Sequence, residues 1–88
     1  MTDWFVYILR CKDGSLYTGV TKDIERRFSE HQEGRGGKYT RLFKVDKLVY
    51  YERHLTEKEA LKRERQIKGW RKEKKENLIK YSRPTAPA

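Results

Sequence analysis

The chain has 88 residues, which sets the expectation of one domain with a thin core. A hydrophobic fraction of 35% beside a charged fraction of 40% leaves few side chains for an interior, yet two Trp, six Tyr and three Phe argue against wholesale disorder. The formal net charge of +9 favours polyanions, nucleic acid first; the basic C-terminal region is too poor in bulky apolar residues for a membrane-surface helix.

In chain order, residues 4–11 mix β-branched and aromatic side chains and read as a strand. Lys12-Asp13-Gly14-Ser15 is a hairpin signal, and residues 16–21 form the returning strand. Asp23 can cap a helix running to about His31, anchored by Ile24 and Phe28. From Glu33 to Arg41, three glycines and three cations without apolar periodicity predict a mobile basic loop. A third strand is expected over 47–53. Thr56-Glu57-Lys58-Glu59 is a capping box, so Glu57 and Glu59 are first-turn helix residues rather than metal ligands. The helix it opens should turn Ala60, Leu61, Glu64, Ile67 and Lys68 inward and end at Gly69. Residues 72–80 give a further helix anchored by Leu78 and Ile79. The expected architecture is α/β in the α+β sense: a three-stranded antiparallel sheet flanked by about three helices, over residues 1–81. Residues 82–88, with two prolines, are expected to be a disordered tail.

Cys11 is a lone cysteine in a strand pattern, which predicts an inert core residue and neither a disulfide framework nor a cysteine-rich zinc site. No segment reads as a signal peptide or membrane span, and a reducing, cytoplasmic setting is the expectation.

Three features are costly unless they have a purpose. Arg27 and His31 stand four apart on one helix face, the face that also holds Ile24 and Phe28. Arg27 either snorkels to water or meets an anion such as a phosphodiester, whose oxygens a guanidinium can grip in pairs. His31 is either an ordinary helix-end residue or a proton or hydrogen-bond donor near that phosphate. Glu64 interrupts an apolar stripe; either a salt bridge to Arg27 or a lysine, or a hard divalent cation, would compensate it. Tyr7 and Tyr17 are either strand packing or a base. With a pKa near 10 a tyrosine is only about 0.1% ionised at pH 7, a handicap of roughly 4 kcal/mol that only a cationic pocket relieves.

Strand register decides whether the two tyrosines can share a site. A strict two-residue turn at Asp13-Gly14 sets Arg10 opposite Tyr17 and Tyr7 opposite Val20, on opposite sheet faces. A one-residue change sets Cys11 opposite Tyr17 and Tyr7 opposite Thr21, bringing both rings to one face. A common site needs this second register, which is therefore expected.

The ordered set Tyr7, Tyr17-Thr18-Gly19, Arg27, His31 and Glu64 resembles the GIY-YIG nuclease family, in the form of a small stand-alone member, over roughly residues 3–80. Ala60-Leu61-Lys62-Arg63-Glu64 followed by Ile67-Lys68 resembles the family's metal-glutamate helix. Phe5-Val6-Tyr7 stands where the family has Gly-Ile-Tyr, Thr18 replaces the middle isoleucine, and Val20 stands where some members carry a lysine. Asn77 is a loose counterpart of the family's asparagine. The resemblance implies phosphodiester hydrolysis with one divalent metal, Mg2+ or Mn2+, held by Glu64. Tyr17 or Tyr7 would deprotonate or orient water, Arg27 would steady the phosphate and His31 would assist. Gly19 would let the nucleic-acid backbone approach or the following helix pack closely. Arg35, Lys38, Arg41, Lys68, Arg71 and Lys72 are the expected strand-binding cations. The expected substrate is DNA, branched or damaged, with little sequence specificity and a partner protein to supply more. Two rivals stand beside this reading. One is a non-catalytic nucleic-acid-binding module; the other is an RNA- or ribosome-associated protein stacking bases on Tyr39 and Tyr50 or Tyr51.

Overall fold

Trp4–Cys11 forms β1, the central strand of the sheet. A computed structural model describes residues 3–82; the expected tail at 83–88 lies outside the described residues. β1 is paired on one side with β2 (Leu16–Thr21) and on the other with β3 (Val45–His54), both antiparallel. Its interior is buried on both faces, which is why it reads as an unbroken apolar and aromatic run. Four helices complete the chain: α1 (Ile24–Gln32), α2 (Lys38–Phe43), α3 (Glu57–Lys68) and α4 (Lys72–Tyr81).

The caps fall where side-chain chemistry puts them. Asp23 accepts from the Arg26 N–H at α1, and Thr56 accepts from the Glu59 N–H at α3. Gly69 closes α3. The expected loop over 33–41 is corrected: its second half is helical, as α2. No apolar period marks this helix in the sequence, because only Thr40 of its six residues is buried.

The hairpin register also differs from expectation. The connection is a three-residue loop, Lys12-Asp13-Gly14, with Cys11 N–H bonded to Ser15 O (2.8 Å) and Gly14 N–H to Cys11 O (2.9 Å). Gly14 supplies the left-handed φ of 88° that this loop requires. The strands therefore pair Leu9 with Tyr17 and Tyr7 with Gly19, two residues away from the expected partners. A shift of two preserves parity, so both tyrosines still share one face.

The two sheet faces carry separate cores. Val6 and Ile8 face α3 and α4, packing with Tyr50, Ala60, Ile67, Trp70, Leu78 and Ile79. Tyr7 and Leu9 face α1, packing with Val45, Phe28 and Tyr17. Cys11 is buried, as an inert core thiol should be. Of the stripe expected on α3, Ala60 and Ile67 are buried, but Leu61 is 41% exposed and Lys68 reaches solvent. Leu61 lies about 100° around the helix from Ala60, outside the arc the sheet covers. Arg63, on the other flank, fills that arc by donating to Glu52 of β3 (3.0 Å). Among the described residues, no helix is long and apolar enough to cross a membrane.

Candidate active site

The α1 face gathers four of the five expected site residues. The Tyr7 and Tyr17 rings lie 6.3 Å apart between centroids, and His31 is 5.0 Å from Tyr17. Tyr7 and His31 are joined by a hydrogen bond of 2.8 Å between the phenol oxygen and Nε2. The space for that bond comes from Gly19. A Cβ on Gly19 would lie within 2.5 Å of Tyr7 Cζ, so the Tyr7 ring occupies the place of the missing side chain. Close approach of Tyr7 by itself requires a glycine at this position.

His31 is fully engaged. Its Nδ1 lies 2.8 Å from the Thr40 hydroxyl, which in turn donates to the Gly37 carbonyl at 3.4 Å. A hydroxyl that donates to Gly37 accepts from Nδ1–H, leaving Nε2 to accept the Tyr7 O–H. The imidazole is 1% exposed and burial pushes its pKa down to about 4, with the Arg27 charge adding to the effect. It is neutral at pH 7, and it reaches Tyr7 and Thr40 rather than a surface phosphate. Gly36 and Thr40 are the neighbours of His31 that sequence reasoning missed. A Cβ on Gly36 would lie within 2.5 Å of His31 Cγ, and Thr40 is 1% exposed. Neither carries a recognisable signal, since both lie in a glycine-rich, basic stretch.

Burial raises the Tyr7 pKa to about 12; Arg27 opposes the rise, while Tyr17 and Glu64 add to it. The cationic pocket therefore does not overcome desolvation in the protein alone. Tyr7 is 2% exposed, whereas Tyr17 is half-buried and accessible.

Arg27 neither floats in solvent nor stands free. One guanidinium nitrogen donates to Glu30 (3.2 Å) and another to the Gly36 carbonyl (2.8 Å), so the group is fixed beside the tyrosines with 35% of the side chain exposed.

Glu64 stands on α3, which packs against β1 and β2. Its side chain is 19% exposed and its carboxylate is paired with Lys68 at 3.3 Å, the lysine bridge that the sequence left open. Among the described residues, no hydrogen bond or ion pair joins it to Tyr7, Tyr17, Arg27 or His31; its charge reaches the site through its effect on Tyr7.

Of the expected strand-binding cations, Lys38 and Arg41 are exposed on α2, and Arg35 is exposed but paired with Glu33. Arg71 and Lys72 open α4, with Lys72 close to the hairpin residue Gly14. Tyr39 is 37% exposed and continues the aromatic row from Tyr17 at 5.7 Å, then on to Phe43 at 4.7 Å. Tyr50 is not available for stacking: it is buried, and its hydroxyl donates to Glu52 at 2.7 Å.

The chain is 51% identical over 79 residues to a UPF0213 protein of Staphylococcus saprophyticus, spanning 90% of this chain and 96% of that one. It is 50% identical over 80 residues to a UPF0213 protein of Staphylococcus aureus, spanning 91% and 98%. Two solution NMR structures share its fold. One is the UPF0213 protein BH0048 of Bacillus halodurans, with TM-score 0.60 and 41% identity. The other is the protein EF2693 of E. faecalis, with TM-score 0.62 and 38% identity. Each comparison covers 91% of this chain and 85% of the other. Residues 3–77, which hold every element from β1 to most of α4 and all five side chains of the expected site, match the GIY-YIG catalytic domain, and the chain belongs to that family.

Proposed function

We propose that the protein hydrolyses phosphodiester bonds of DNA as a divalent-metal-dependent endonuclease of low sequence specificity. The observation that carries the reading is the joining of Tyr7, Tyr17, His31 and a fixed Arg27 on one face beneath a basic surface. Tyr17 is the tyrosine that water and substrate can reach, so it orients the attacking water. Tyr7 supports it from below, its hydroxyl proton held by neutral His31. Arg27 offsets charge growing on the phosphate, with its direction set by Glu30 and Gly36.

The donor set fits a hard cation. Among the described residues there is no group of three or more His, Cys, Asp or Glu, so a zinc-type cage has no basis here. A single carboxylate, Glu64, suits magnesium or manganese, which keep several waters and take substrate phosphate as a further ligand. Bound there, the ion would supply Lewis-acid stabilisation of phosphate charge. Lys68 must release Glu64 for that to happen and is then free for the strand.

The test is incubation of labelled branched DNA, single-stranded DNA and structured RNA with and without Mg2+ or Mn2+, beside Glu64→Ala and Arg27→Ala. The expected result is metal-dependent DNA cleavage that Glu64→Ala abolishes while binding persists. The Glu64–Lys68 pair and the raised Tyr7 pKa favour one alternative, a binding module without catalysis. Binding without metal-dependent cleavage by the parent protein would establish it.

A further inference from the structure

A basic hollow lies beside Thr40, the residue whose hydroxyl meets His31 Nδ1. It measures about 380 Å³ and is lined by Lys12, Arg41 and Lys44, together with Glu33 and Thr40. The three cations come from two separate parts of the chain: Lys12 from the hairpin loop, and Arg41 and Lys44 from the end of α2. Their convergence is built in by the backbone, since Lys12 N–H donates to Lys44 O at 2.8 Å and Lys44 N–H to Thr40 O at 3.0 Å. Like charges held together repel, and among the described residues none of the three forms an ion pair. The carboxylate in the wall, Glu33, is already taken by Arg35.

The cations are not needed as caps of α1. The carbonyls at the end of α1 are satisfied by backbone donors: Glu33 to Ser29 (3.0 Å), Gly34 to His31 (3.1 Å) and Arg35 to Glu30 (2.8 Å). Lys44 is, moreover, the only non-glycine residue with positive φ among those described, at φ 53° and ψ 118°. Glycine would hold that backbone with less strain.

We propose that this hollow takes a phosphate group of the bound strand, separate from the phosphate beside Arg27 and Tyr17. A tetrahedral anion satisfies three converging cations at once, whereas a carboxylate or an apolar group leaves part of the charge uncompensated. The proposal rests on the nuclease reading only in taking nucleic acid as the source of the phosphate. The hollow then fixes the strand's path from the hairpin loop past α2 toward Tyr17.

The test uses the whole chain in chelator-treated buffer, where no cleavage intervenes. Affinity for a labelled oligonucleotide is measured by anisotropy from about 50 to about 200 mM salt. The double variant Lys12→Gln/Lys44→Gln is compared with the parent and with Lys62→Gln, an exposed cation on α3. Each lost phosphate contact removes about one unit of the log–log salt slope, so the parent should lose about fourfold more affinity over this range than the double variant. Lys62→Gln should keep the parent's slope. Amide spectra confirm the fold, and in the parent the Lys12 and Lys44 amides should shift with oligonucleotide. A double variant that matches Lys62→Gln in slope and affinity overturns the proposal. Equal amide shifts with inorganic phosphate alone overturn its assignment to a strand. Since cleavage is never measured, an inactive parent would refute the nuclease reading and leave this result standing.

Discussion

Acidification should destabilise the protein through His31, by an amount that its burial sets. The folded pKa is about 4, against about 6.5 in an unfolded chain. The folded state therefore binds the proton less readily, and stability falls as the pH drops below about 6.5, levelling off below about 4. Between pH 7.5 and pH 5 the linkage amounts to about 2 kcal/mol, rising to about 3 kcal/mol at full effect. The structural reason is that the ring is closed off from water, where a charged imidazolium loses its solvation, and that the Arg27 charge opposes a second positive charge beside it. Urea unfolding across this range measures the loss. The same series on His31→Gln, which cannot titrate there, removes the contribution of every other group by subtraction. Proton NMR of the His31 ring reads its pKa directly in the parent, should the variant fold poorly. A His31 pKa between 6 and 7 would refute the reasoning, as would a parent-minus-variant difference that stays flat with pH.

Gly19→Ala forces the Tyr7 ring away from the strand and should cost about 1–3 kcal/mol in urea unfolding, with the His31 ring signals displaced; an alanine variant as stable as the parent would contradict the close approach. Thr18→Val should stabilise by about 1 kcal/mol, because the Thr18 hydroxyl is buried without a partner and valine keeps its shape; a lower unfolding midpoint would mean that the hydroxyl is satisfied in solution.

The strands, three of the four helices and the caps of α1 and α3 were legible in the sequence, because each rests on interactions between near neighbours. Asp23 and Thr56 cap the helices that follow them, and Gly69 closes the second. The ordered residues Tyr7, Tyr17, Arg27, His31 and Glu64 were enough to identify the family, which the match over residues 3–77 establishes. The alternation of the strands also left only two choices of face for the tyrosines.

What the tertiary structure decided were relations between distant parts of the chain. Whether Asp13-Gly14 belongs to a two- or a three-residue loop depends on Ser15 pairing with Cys11, and that loop placed Tyr7 over Gly19. The pairing of His31 with Tyr7 and Thr40, at sequence separations of 24 and 9, and the closeness of Gly36 to the ring leave no period or motif behind. The same holds for Glu64, whose bridge to Lys68 the spacing allowed but did not choose over a bond to Arg27. Hydrophobic periodicity reports which way a side chain points; the partner it meets there is set by packing of the sheet against helices from both ends of the chain.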